Sequence, residues 1–170
     1  MNKQTHLAMW DQQRQRHGIT LRVLEQIPEA ELGKHPIAGM RTPTELLVHM
    51  YVMLESMAKS VHTGTLESVD EAPIVAACSS KAKLRDYLAR AWAAGDKQAR
   101  SVTDVQLGAT VSTPWGDSFP GNAIFGILTD EYLHHRGQLY AFVRTYGLQP
   151  VMVWDLEHNA PEFQPGAVTA

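Results

Sequence analysis

The chain's 170 residues include a single cysteine, Cys78. That scarcity excludes an internal disulfide and any thiolate metal cluster. Within Ile74-Val75-Ala76-Ala77-Cys78 the thiol reads as a small buried group more readily than as a nucleophile. No stretch approaches the roughly 18 apolar residues of a membrane span, so no membrane-spanning helix is expected. Basic runs are missing too, Lys and Arg are not interleaved with aromatics, and the net charge is −3. Nucleic acid is therefore not an expected partner. The opening Met1-Asn2-Lys3-Gln4-Thr5-His6 has no apolar core and no cleavage signature, so a cytoplasmic location is expected. Repeats, low-complexity tracts and domain linkers are absent as well.

Helical periodicity is what the chain does have. Hydrophobic residues make up 44%, enough for one domain over 1–170 with a substantial core. The first helix is predicted over about residues 5 to 27, where Leu7, Trp10, Arg14, His17, Leu21 and Leu24 recur at spacings of three and four. Pro28 stops it, and 29–41 reads as a connector. Thr42-Pro43-Thr44-Glu45 opens a second helix with an N-cap Thr, a Pro at the first position and a Glu three residues after the cap. Its inner face is Leu46, His49, Met50, Met53, Leu54 and Met57, and Gly64 closes it. The methionines read as core filling rather than a soft-metal site.

Residues 65 to about 78 read as a loop. A third helix runs from Ser79-Ser80 to about Val102, burying Leu84, Leu88, Ala91, Gly95, Ala99 and Val102. Residues 103–120 are expected to form a short hairpin or an ordered loop. The fourth helix spans about Asn122 to Tyr146, and the tail 151–170 is expected to lie extended across the others, with disorder at its last residues. The fold class is all-α, a four-helix bundle.

The chemistry concentrates in Thr129-Asp130-Glu131-Tyr132-Leu133-His134-His135-Arg136-Gly137-Gln138-Leu139. Glu131 and His135 stand four apart, on one helix face and one turn from each other. With Glu131 at zero, Ile124 and Phe142 fall at about 20°, His135 at about 40° and Gln138 at about −20°. The apolar stripe is thus expected to centre on this pair and point it into the bundle. A carboxylate and an imidazole so placed can grip one divalent cation, with His49 of the second helix completing the set. A buried carboxylate needs such a partner. Arg14 is the alternative partner for Glu131, and a hydrogen-bonded core role is the alternative for His49. Asp130 and His134, also four apart, form a rival pair on a small-residue stripe suited to close helix contact. His17 is read as a core residue, a spare ligand or a partner to a ligand. Gln138 is the inward neighbour expected to touch a ligand. His6, His35, His62 and His158 fall at ends or in loops and receive no role.

His134-His135-Arg136-Gly137-Gln138-Leu139, the inward His49, the exit Tyr146-Gly147-Leu148-Gln149-Pro150 and the ending Glu157-His158-Asn159-Ala160-Pro161-Glu162-Phe163 together resemble the DinB-like (YfiT-like) damage-inducible family of metal-binding four-helix bundles. The resemblance covers most of the chain. It implies a site of three histidines, one from helix two, matched by His49, and two from helix four at i and i+4. The second of these matches His135; the first falls on Glu131. Two imidazoles and a carboxylate suit Zn or Ni, with Mn or Fe(II) also accommodated. The added negative charge makes such an ion a weaker Lewis acid than three histidines would.

The resemblance further implies one of two activities, thiol S-transfer or isomerisation with a low-molecular-weight thiol, or metal-dependent hydrolysis. A non-enzymatic, stress-associated bundle is the other reading. Leu133 and Tyr140 project at about 180–200° from Glu131, and apolar residues there suggest a homodimer surface.

Overall fold

A computed structural model describes residues 1–167 of the chain. Four long helices form the bundle: α1 (Lys3–Gln26), α2 (Pro43–Thr63), α4 (Lys81–Ser101) and α6 (Gly121–Thr145). Two short helices, α3 (Ala72–Ala77) and α5 (Asp104–Gly108), lie in the connections. Strands β1 (Thr110–Ser112) and β2 (Ser118–Pro120) pair antiparallel, with Val111 opposite Phe119. The expected all-α bundle with a hairpin before its last helix is the observed fold.

The ends of α2 follow local chemistry. Thr42 and Glu45 form a reciprocal capping box, Pro43 occupies the first turn, and Gly64 takes the left-handed conformation at φ 78°. The other three long helices begin and end within about two residues of the positions the sequence implies.

α4 and α6 each pack against both α1 and α2, which places α1 and α2 on opposite corners of the bundle. α2 is the most enclosed helix. Leu46, Leu47, Val48, Met50, Tyr51, Val52, Leu54, Met57, Ala58 and Val61 are all buried, well beyond the single stripe that periodicity suggested. A helix apolar nearly all round is an interior helix. Gly95 lets α4 come close, since a Cβ there would meet Leu54 Cδ2 at 2.3 Å.

Two connections depart from expectation. The loop 65–78 contains α3, with Pro73 in its first turn. The stretch 103–120 starts with α5, which Thr103 and Gln106 cap reciprocally, before the expected hairpin. His6 lies in the first turn of α1, near the expected end, but is buried, with Nε2 against the Ala99 carbonyl at 2.9 Å.

The tail crosses α1. Arg22 pairs with Asp155 at 2.6 Å, and the buried Asn159 donates to the Gln15 and Phe163 carbonyls. A Cβ at Gly18 would approach Asn159 and Phe163 at 2.7 Å, so this close crossing needs glycine there. Arg14 also serves the tail: it pairs with Asp11 and donates to the Glu162 and Gln164 carbonyls. It is therefore not the partner of Glu131. The disorder expected at the very end concerns residues 168–170, outside the described ones. Among the described residues no helix is long and apolar enough to cross a membrane.

Candidate metal centre

His49, on α2, faces Glu131 and His135 on the adjoining α6, and one potential ligand atom from each lies within 4.8 Å of the others. His135 Nε2 stands 3.2 Å from Glu131 Oε2. The rings of His49 and His135 meet edge to face at 4.9 Å between centroids. Three donors each about 2.1 Å from one ion stand at most about 4.2 Å apart. Small side-chain rotations close the remaining gap, so the cluster fits a divalent ion.

Each ring has its second nitrogen occupied. His135 Nδ1 lies 3.1 Å from Gln138 Oε1, and His49 Nδ1 lies 2.6 Å from Glu71 Oε1. These bonds leave Nε2 of each imidazole as the atom available to ligate an ion. Burial is the largest influence on His135 and lowers its pKa; the nearby His49 acts in the same direction, while Gln138 and Glu131 oppose it. The ring is thereby biased to the neutral form that can ligate.

The cluster sits at the rim of the bundle rather than in its core. The His135 side chain is 8% exposed, but that of Glu131 is 42% exposed. This corrects the expected orientation of α6. Its buried residues include Phe125, Leu128, Tyr132, Leu139 and Val143, and the buried face centres about 80° from Glu131. Phe125, Tyr132, Leu139 and Val143 extend the buried face away from the stripe the sequence implies, which shifts its centre from the carboxylate.

The other candidates separate cleanly. Asp130 and His134 are exposed, so their stripe is an outer face and not a close helix contact. His134 reaches the site indirectly, with Nε2 3.0 Å from Gln138 Nε2. His17 is outside the cluster: it is buried in the core and bonded to the Tyr51 hydroxyl. Tyr140 is buried and Leu133 half-buried, which removes most of the apolar surface offered for a dimer. Glu71 was missed altogether. It lies 22 positions from His49 in a segment read as loop, and no local spacing pairs the two.

The class defined by this fold and site is an all-α bundle carrying a His–Glu–His cluster between two of its helices. The DinB superfamily model matches residues 10–139, and the chain belongs to that superfamily. No curated protein sequence matches it. Among solved structures, a DinB-like protein from Bacillus subtilis aligns with TM-score 0.60 and 18% identity, covering 81% of this chain and 94% of its own. A mycothiol-dependent maleylpyruvate isomerase aligns with TM-score 0.58 and 18% identity, over 85% of this chain and 68% of its own. A histidine-to-alanine mutant of that isomerase aligns equally well. At this identity the likeness is one of fold.

Proposed function

We propose that His49, Glu131 and His135 hold one divalent metal ion, and that the protein is a metal-dependent enzyme acting on a small electrophile with a low-molecular-weight thiol or water as nucleophile. The observation that carries this reading is the convergence of two imidazoles and a carboxylate from separate helices, with each imidazole's other nitrogen already engaged. Zn or Ni suits the donor set best, and Mn or Fe(II) is also compatible with it.

Three protein donors leave coordination positions open, as catalytic sites require. When bound, the ion supplies Lewis-acid activation, lowering the pKa of a thiol or water that reaches it. The protein's own contribution is geometric and electrostatic. His49 and His135 offer their Nε2 atoms, Glu131 adds the compensating negative charge from a solvent-facing position, and Gln138 orients His135. The half-exposed Glu131 leaves a path for small molecules from solvent. Thiol use is favoured because a structure of the same fold is a mycothiol-dependent isomerase.

Elemental analysis of untagged wild-type protein, and of His49→Ala, Glu131→Ala and His135→Ala, tests the site. About one metal per chain, lost in all three variants, is the expected result. A wild type that carries no metal and takes up none of Zn, Ni, Mn or Fe(II) on titration overturns it. For the reaction, His49→Ala and His135→Ala should abolish turnover of thiol plus electrophile, and hydrolysis, while the helical signal persists. Normal turnover in either variant refutes the catalytic part.

A further inference from the structure

We infer that Glu71 is the positioning residue of this metal centre and that, through it, metal binding fastens the segment 67–77 to the bundle; this rests on the metal reading above.

Residues 67–77 include no buried residue, although Leu66 before them and Cys78 after them are both buried. Leu66 is further held by its N–H, which donates to the Ser112 carbonyl at 2.8 Å. Between these two anchors, the bond from Glu71 to His49 is, among the described residues, the one hydrogen bond that ties the segment to a long helix. Glu71 is the N-cap residue of α3, yet its side chain does not cap that helix. Its backbone carbonyl accepts from the Val75 N–H at 2.9 Å, while its carboxylate turns away to α2. Asp70 accepts from the Ala72 N–H at 3.1 Å, so the opening turn of α3 does not need the Glu71 carboxylate, which reaches a histidine 22 positions away instead.

A carboxylate on Nδ1 fixes the imidazole tautomer with the proton on Nδ1, aims Nε2 at the cluster and increases its basicity. The effect is reciprocal. An ion drawing electrons through Nε2 makes the Nδ1–H a stronger donor, so it strengthens the bond to Glu71. The segment also shapes the surroundings. Pro73, Ile74 and Ala77 form one wall of a groove of about 850 Å³ against Tyr87 and Arg90 of α4. On the other side of α3, Glu71, Ala72 and Val75 face Met40 and Arg41 across a groove of about 590 Å³. Occupancy of the site thus sets how firmly the shared wall of both grooves is held.

Zinc titration calorimetry of the whole chain, combined with hydrogen exchange read by mass spectrometry, tests this. Zn²⁺ should bind Glu71→Ala about 10–100-fold more weakly than wild type. Glu71→Gln, which keeps an acceptor oxygen and guards against misfolding of the alanine variant, should fall between. Zn²⁺ should slow exchange across 72–78 in wild type but not in Glu71→Ala, with α4 amides unaffected in both. Wild-type affinity in Glu71→Ala, or equal slowing across 72–78 in both proteins, overturns the positioning role. Zinc binding that His49→Ala does not weaken overturns the metal reading itself, and this inference with it.

Discussion

Two histidine-bearing clusters share this bundle, and their surroundings give them opposite characters. In the core, His17 lies parallel to Trp92 with centroids 4.5 Å apart and meets Phe163 edge to face. Its Nδ1 bonds the Tyr51 hydroxyl, which lies 3.4 Å from the Tyr132 hydroxyl, which donates to Thr20 at 2.8 Å. Thr20 in turn donates to the Arg16 carbonyl. Running each donor the same way satisfies every member, starting from His17 Nδ1–H. No carboxylate takes part, and burial drives the His17 pKa down to about 3. At the rim, His49 and His135 have carboxylate and amide partners and some access to solvent. The same side chain is an inert neutral strut where burial lacks a counter-charge, and a candidate ligand where a carboxylate and solvent stand beside it.

The largest expected effect breaks the strut. His17→Ala leaves a hole between aromatic rings and takes the partner from a buried hydroxyl, so it should cost about 3–5 kcal/mol of stability by urea unfolding. His135→Ala should cost much less in metal-free protein. Equal losses would deny the difference between the clusters.

Acid comes next. The folded pKa of His17 is depressed, so the unfolded chain binds this proton first as pH falls below about 6.5. His17 then favours the native state less and less until pH nears its folded value. Its contribution should fall by about 3 kcal/mol between pH 6.5 and pH 4. The slope of unfolding free energy against pH, compared with that of His17→Gln, isolates it. A similar slope in both proteins would place the acid sensitivity elsewhere.

Metal sharpens the contrast from the other side. A ligand at 100 times its dissociation constant should raise stability by about 2.7 kcal/mol. Tyr51→Phe should retain that gain and Glu131→Gln should lose it, as read from melting curves with and without Zn²⁺.

Gly18→Ala should cost about 1–2 kcal/mol by pushing Asn159 and Phe163 off α1, which uncovers His17. Its signature is an upward move of the His17 pKa by NMR titration; an unmoved pKa means the tail is not what keeps the ring dry. The smallest effect is that of Glu131→Gln without metal, below about 0.5 kcal/mol, because the carboxylate is half in solvent.

Much of this was legible in the chain. The capping box at Thr42, the C-cap at Gly64 and the Ser80 N-cap of α4 are local signals, and they fixed three helix boundaries to within two residues. The i, i+4 pairing of Glu131 with His135 is equally local. The depth of that pair was not legible, because an angular estimate depends on which neighbours are counted. Omitting Phe125, Tyr132, Leu139 and Val143 moved the stripe onto Glu131, which the structure leaves at the rim.

By itself the sequence determined the all-α class, the four long helices and the residue types able to form one His–Glu–His group, since periodicity and caps act within a few residues. Tertiary structure alone decided that α2 is enclosed on nearly every side, that Arg14 holds the tail rather than Glu131, that His17 joins Tyr51 across the bundle, and that Glu71 meets His49. The physical reason is distance along the chain. These contacts join groups far apart in sequence, and their energies follow from burial and mutual geometry that exist only once the helices have packed.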